Sequence, residues 1–250
     1  MSFKAVLSDV DLLKNSVPAI AEIIDEGIFK VDKNGLSMLA PDRTMVSVTD
    51  LKILSSAFDE FTVDREENLG LNLSHFASVL KRLGAGDRLV LESDKGNMLK
   101  ITAKGTSTRT FEIPLIEVTT EKPPVDQLVF DGTVSLSSDL FDQGVADAEV
   151  IGDSIILEAS NEGFSMRAKG DVRSSNLELD KNDKGLLKLE IKGKIKAQYP
   201  LEYLKKMMKA GKVAKHMTVE FSSDYPLRLT FKTIDKMSLS FILAPRVSEE

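Results

Sequence analysis

The sequence contains no cysteine. That absence removes disulfides, cysteine-ligated zinc, iron–sulfur clusters and any thiol nucleophile together. Histidine is scarce too: His75 and His216 leave little for metal chemistry or an imidazole base. No apolar run approaches the ~18–20 residues of a membrane-spanning helix, and the N-terminal residues lack the apolar stretch of a secretory leader. Phosphate-loop, dinucleotide-turn, HExxH and GxSxG motifs are all missing. Gly84-Ala-Gly86 lacks a third glycine and follows a helical stretch, so it reads as a turn. Asp9-Val-Asp11 lacks the rest of a calcium loop. Asn72-Leu-Ser74 fits a glycosylation acceptor that a cysteine-free chain without a leader is not expected to use. Acids are plentiful, but none forms a recognisable ligand set or acid/base pair by spacing. No catalysis, no metal and no cofactor are expected.

What is present is charge. The 250 residues carry 33 basic and 39 acidic side chains, a net charge of -6. Taken whole, that balance argues against a nucleic-acid partner, since an acidic chain repels phosphate. The length suits one large domain or two ordinary ones.

A repeat decides between them. Displaced by 128 residues, residues 11–40 lie on 139–168 without a gap. Ten of the thirty positions are identical: Asp11/Asp139, Leu12/Leu140, Val17/Val145, Ile23/Ile151, Asp25/Asp153, Ile28/Ile156, Gly35/Gly163, Ser37/Ser165, Met38/Met166 and Ala40/Ala168. The same offset pairs Leu99-Lys-Ile-Thr102 with Leu227-Arg-Leu-Thr230, with the register expected to wander by a residue or two between these anchors. The chain reads as two copies of one domain, 1–117 and 130–250. Residues 118–129, with Pro123-Pro124, form the linker.

Each copy has the pattern helix, hairpins, helix, strands. Leu13, Val17, Ile20 and Ile24 mark one face of a first helix, in which Pro18 should introduce a kink or shift the start. Phe141, Val145 and Ala148 repeat that face. Ile28 to Met38 reads as two strands about an Asn-Gly turn. A second helix is marked by Phe76, Val79, Leu80 and Leu83, with Gly84 as its C-terminal cap. Its counterpart carries Tyr203, Leu204, Met207 and Met208 behind Pro200. The remainder alternates, giving an α+β domain with two helices against an antiparallel sheet in each copy.

Charge is segregated. Residues 131–166 hold eight acids and no Lys or Arg, whereas 181–215 hold eleven lysines against three acids. At 100° per residue Lys205, Lys209 and Lys212 share one stripe with Lys206 beside it, opposite the apolar set, Leu201 excepted. Such a row suits sequence-independent phosphate tracking, although charged stripes are more often solvated faces. Lys81 and Arg82 face away from Phe76 and Leu80 on the earlier helix.

Several stretches stand in a familiar order. They are Leu36 to Leu51 (LSMLAPDRTMVSVTDL), Leu69-Gly-Leu-Asn-Leu73, Thr108 to Ile116 (TRTFEIPLI), Glu162 to Gly170 (EGFSMRAKG) and Phe241 to Val247 (FILAPRV). Together they resemble the DNA sliding clamps of the PCNA (proliferating cell nuclear antigen) family, the archaeal branch most closely. The resemblance spans nearly the whole chain. It implies a duplicated clamp fold that assembles into a closed ring, normally a homotrimer, with helices lining the hole. The ring encircles double-stranded DNA without sequence preference and serves as a polymerase processivity factor. Lys14, Lys81, Arg82, Lys205, Lys206, Lys209 and Lys212 would face DNA. Relatives usually show basic character where Asp139, Asp142, Asp147, Glu149, Ser78 and Glu202 stand here, so an uneven positive potential is expected. Subunits would join through strands at about 106–113 and 174–179, using Arg109, Phe111, Ile113, Leu177 and Leu179. A partner-peptide pocket would comprise Pro41, Val46, Val48, Val125, Leu128, Ala244, Pro245 and Val247, with Pro41 where Met or Ile is commoner. The implied partners are DNA polymerase, clamp loader, flap endonuclease and DNA ligase, docking through short peptide motifs. No membrane is implied, and the location is cytoplasmic, nucleoid-associated, if the source is archaeal. Two alternatives stay open: one subunit of a heterotrimeric clamp, and a small-molecule enzyme on a duplicated scaffold.

Overall fold

A computed structural model describes residues 2–93, 97–119 and 121–246. The first copy runs β1 (Phe3–Leu7), α1 (Asp11–Ile20), β2 (Glu26–Asp32), β3 (Gly35–Pro41), β4 (Ser47–Leu54), β5 (Glu60–Val63), β6 (Glu67–Asn72), α2 (Leu73–Leu80), β7 (Arg88–Ser93), β8 (Met98–Lys104) and β9 (Thr108–Pro114). The second runs β10 (Gly132–Ser137), α3 (Ser138–Glu149), β11 (Ser154–Ser160), β12 (Gly163–Lys169), β13 (Ser174–Asp180), β14 (Leu186–Ile191), β15 (Ile195–Pro200), α4 (Leu201–Met208), β16 (His216–Phe221), β17 (Leu227–Thr233) and β18 (Met237–Leu243).

The duplication is stricter than the sequence spacing implied. β11, β12, β15, α4 and β16 begin and end 128 residues after β2, β3, β6, α2 and β7. The other elements differ from that offset by one or two residues. Strand order repeats as well. The run β5-β1-β7-β8-β9 matches β14-β10-β16-β17-β18, and β4-β3-β2-β6 matches β13-β12-β11-β15. Every pairing with a described register is antiparallel.

The chain divides into two compact units, one of residues 1–43, 49–123 and 233–239, the other of 44–48, 124–232 and 240–250. Two short segments thus belong with the copy that does not encode them, which no local sequence pattern reveals.

In the first unit α1 lies against α2. Leu13, Val17, Ile20 and Ile24 are buried, as their spacing predicts. Pro18 sits within α1 without setting its start; the helix begins at Asp11 and continues to Ile20. The proline is half-exposed, where losing one backbone donor is tolerated best. α2 is capped by Asn72, whose side chain accepts the His75 N–H at 3.0 Å. Its C-terminus differs from expectation. Lys81 ends the helix in right-handed geometry, and Gly84 does not supply a left-handed cap. Instead the Asp87 carboxylate accepts the Gly84 N–H at 2.8 Å, and the positive φ falls on Gly86.

The β2–β3 turn is as predicted, with the Asp32 carboxylate accepting the Asn34 N–H at 2.8 Å. Gly35 has φ +137°, and a Cβ there would lie 2.0 Å from the Ile53 carbonyl oxygen. Gly35→Ala is therefore expected to cost at least ~1–3 kcal/mol, read as a fall in Tm. An unchanged Tm would contradict the turn geometry.

In the second unit α3 lies against α4. Phe141, Val145, Leu204, Met207 and Tyr199 are buried, and the Tyr199 hydroxyl donates to the Tyr225 carbonyl at 2.7 Å. Leu201, out of line on the helical wheel, is buried too, because as the first residue of α4 it is fixed by its N–H bond to the Asp153 carbonyl. Among the described residues no helix is long and apolar enough to cross a membrane, and no group of His, Asp or Glu could hold a metal ion.

Candidate nucleic-acid interface and partner-binding edges

The lysine stripe forms as the spacing predicts, with one refinement. After Met208 the backbone tightens into a 3-10 turn at Lys209–Lys212. In that geometry residues three apart eclipse, so Lys209 and Lys212 stay aligned. Lys205, Lys209 and Lys212 are exposed, while Ala210 is buried beneath them.

These ammonium groups are not all open to solvent. Lys205 makes an ion pair with Glu149 of α3. Lys206 pairs with Glu202 at 2.8 Å and lies 5.6 Å from the Tyr203 ring centroid. The Glu202 carboxyl is held below the ordinary carboxylate range by Lys206. On α3 the exposed acids Asp139, Asp142, Asp147 and Glu149 stand opposite buried Phe141, Gly144, Val145 and Ala148. Loss of hydration against the helix surface, aided by the Asp139 charge, pushes the Asp142 carboxyl up although the residue is largely exposed. Glu149, at the C-terminal end of α3, opposes the helix dipole, and Lys205 offsets this.

The two charge blocks of the sequence meet elsewhere in this unit. Lys194 pairs with Glu158 at 2.6 Å and Lys181 with Glu162 at 3.2 Å. A recess of about 230 Å³ between β11, β12 and β13 is lined by Glu158, Glu162, Lys194, Arg167, Glu178 and Asp180 among others. Arg167 bridges Glu158 at 3.8 Å and Glu178 at 2.9 Å, so most of the charges in the recess are already paired within this unit.

In the first unit Ser74, His75 and Ser78 form the exposed side of α2, and Lys81 and Arg82 stand exposed just after it. Lys14 does not point freely outward. Half-buried, it donates through Nζ to the Leu83 carbonyl at 2.6 Å, capping the chain just after α2. Arg109 completes that cap, donating to the Arg82 carbonyl at 2.9 Å and pairing with Asp87 at 2.5 Å. Both cations sit on carbonyls of the turn that follows α2, at the end of the helix where positive charge complements its dipole.

The two strands expected to join subunits are both outer strands. β9 ends the run β5-β1-β7-β8-β9, and β13 ends β13-β12-β11-β15. Each is seven residues long, and their burial alternates identically. Ile113 and Leu179 are buried, whereas Arg109, Phe111 and Leu177 are half-buried. An outer strand leaves alternate N–H and C=O groups unpaired, ready for another strand.

Of the partner-pocket positions, Val46, Val48, Val125, Leu128, Ala244 and Pro245 belong to the second unit and Pro41 to the first. Val247 lies outside the described residues. The Val46 carbonyl accepts the Ala244 N–H at 2.9 Å, so the C-terminal segment lies alongside residue 46. Val46, Val48, Leu128, Ala244 and Pro245 are half-buried. Val125 is buried, its carbonyl bound by Arg228, whose guanidinium lies 4.9 Å from the Phe130 ring centroid. Met45, which the sequence does not single out, stands next to these positions. It adopts φ 58° and is 62% exposed, next to Val46. An exposed methionine in left-handed backbone carries no sequence signal.

Arg246 latches the C-terminal segment. Its N–H donates to the Gln198 carbonyl at 2.7 Å, and its guanidinium pairs with Asp153 at 2.6 Å. That bond holds the Asp153 carboxyl below the ordinary range. A depressed folded pKa stabilises above the unfolded value, about 3.9, and the gain is lost as pH falls through the folded one. Asp153→Asn should therefore accelerate hydrogen exchange at 244–246 at neutral pH, and the difference from the unaltered chain should vanish at low pH. Equal exchange at pH 7 would contradict the latch.

The N-terminal domain model of the proliferating cell nuclear antigen family matches residues 2–121, and the C-terminal domain model matches 124–246. Proteins named DNA polymerase sliding clamp from Pyrococcus abyssi and Pyrococcus horikoshii are 34% and 35% identical over 249 residues, covering 100% of both chains. "DNA polymerase sliding clamp 1" of Thermococcus kodakarensis is 33% identical over the same span. A crystal structure of PCNA from Thermococcus kodakaraensis superposes with TM-score 0.93 at 28% identity, over 98% of this chain and 100% of that one. With both domain models matched in order and along nearly its whole length, the chain belongs to the proliferating cell nuclear antigen family.

Proposed function

We propose that this chain is a DNA polymerase sliding clamp that acts by topology and has no catalytic step. The observation carrying this reading is that similarity to proteins of that name runs the full length of both chains. Three copies would close head to tail, each β9 pairing with the β13 of the next, a heterologous contact that generates a ring when the rotation closes. Residues 1–117 and 130–250 serve as the clamp domains and 118–129 as their linker.

Duplex DNA passes through the ring and meets Lys205, Lys206, Lys209 and Lys212, with Lys81 and Arg82 on the other domain. Lys14 supports them by holding the turn that follows α2. Once encircled, DNA need not be held tightly, so weak contacts to the phosphate backbone suffice.

Polymerase, clamp loader, flap endonuclease and DNA ligase would dock through short peptides on Val46, Val48, Leu128, Ala244 and Pro245, together with Pro41, Val125 and Val247. Met45 adds an adaptable contact, as exposed methionines do at surfaces that accept varied partners. The protein would work in the cytoplasm, with the nucleoid.

Val46→Asp is expected to weaken binding of such a peptide at least about tenfold, read by calorimetry, with the oligomer mass unchanged. The function itself is tested by primer extension on a primed circle with loader and polymerase. Product length should rise with the clamp, and an unaltered length would overturn the reading.

A further inference from the structure

The lysines that would meet DNA are partly occupied by carboxylates of their own unit. Glu149 reaches from the end of α3 to Lys205 on α4. Glu202 reaches along α4 to Lys206, four residues on and in the favourable orientation of an i,i+4 pair. Each acid lies on the same exposed side as the base it engages, and each carboxylate offers the anionic oxygens that a phosphate would offer. Neither pair is needed to fill the core, because Leu204, Met207, Phe141 and Ala148 already pack the helices from beneath.

We propose that Glu149 and Glu202 are internal competitors for DNA phosphate, lowering the grip of Lys205 and Lys206 so that the clamp slides. The inference rests on the clamp reading above. A phosphate reaching Lys205 must displace Glu149, and the carboxylate recaptures the ammonium when DNA moves on. Every step along the backbone then exchanges one anionic partner for another of similar strength, and no lysine has to shed a phosphate into bulk water. The exposed setting keeps each exchange shallow, since surface ion pairs are individually weak. Asp139, Asp142 and Asp147 share the acidic helix, but Lys205 is bound by Glu149.

The test compares Glu149→Gln, Glu202→Gln and the double variant with Asp147→Asn, which removes the same charge from α3 without freeing Lys205. Binding to a short linear duplex is measured across a salt series, and one-dimensional diffusion is followed on long DNA after loading. Each glutamine variant should bind linear duplex roughly two- to fivefold tighter. The slope of log affinity against log salt should steepen by up to about 0.9 per freed lysine, and diffusion should slow. Asp147→Asn should change affinity less and leave the slope alone. Unchanged affinity, slope and diffusion in the glutamine variants, or equal effects of Asp147→Asn, would overturn the competition. If that happens while reversal of the lysine stripe still impairs loading, the clamp reading survives and only the competition fails. If stripe reversal also has no effect, the placing of this helix against DNA falls with the competition, and primer extension on a primed circle decides the clamp reading separately.

Discussion

Reversal of Lys205, Lys209 and Lys212 to Glu is expected to shorten polymerase products severalfold and to abolish measurable binding to short linear duplex. All three side chains are exposed, and the buried side of α4 is made by Leu201, Leu204, Met207 and Met208, so the fold should tolerate the change. Lys205→Glu alone sets two carboxylates together by placing Glu beside Glu149. A Lys→Gln triple variant therefore separates local repulsion from lost phosphate contact. In that variant the slope of log affinity against log salt should flatten by roughly 0.9 for each contact removed. Unaltered slope and product length with normal Tm would show that this helix does not face DNA.

The second large effect concerns assembly. Leu177→Lys is expected to reduce the sedimenting mass from about three chains to one of 27.5 kDa. Leu177 is half-buried on the outer strand β13, matched by Phe111 on β9. Pairing the two strands would cover both side chains, and a lysine there would lose its hydration without gaining a partner. In a head-to-tail ring every contact is the same contact, so one substitution acts three times. Phe111→Lys should do likewise, with its own Tm measured as a control because Phe111 also packs within its copy. An unchanged mass for both variants would exclude the β9–β13 contact. Arg109 is a less informative target, since its guanidinium also fixes Asp87 and the Arg82 carbonyl.

Much of the fold was legible because a duplication prints each signal twice. The apolar faces of α1 and α3, the Asn-Gly hairpin and the second helices all follow from local spacing. The offset of 128 holds even for α2 and α4, where the sequences themselves share little. What stayed hidden depends on contacts distant along the chain. Glu149 and Lys205 are 56 residues apart, and only the packing of α3 on α4 joins them. Lys14 reads as one more exposed base until the chain end of α2 is seen beside it. Gly84 resembled a helix cap because glycine is common there, yet the cap was met by Asp87, and Gly86 took the left-handed turn. The assignment of residues 44–48 to the opposite copy, and with it the exposed Met45, has no local signature at all.

Net charge misled in a different way. A total of -6 describes the sum over a surface, whereas phosphate meets only one part of it. Of the eleven lysines of 181–215, Lys181, Lys194 and Lys205 make ion pairs with the acidic block, Lys188 and Lys206 pair with Glu190 and Glu202, and Lys205, Lys209 and Lys212 form the exposed row on and after α4.

Copies of this chain closed around DNA should be held there by topology and not by affinity. The most direct measurement loads the protein with a clamp loader onto a nicked circle, removes free protein, and then cuts the circle once with a restriction enzyme. The protein should stay on the intact circle at a salt concentration that abolishes binding to linear duplex, and should be released by sliding off once the circle is cut. Equal retention on circular and linear DNA, or loss from both at that salt, would contradict retention by topology.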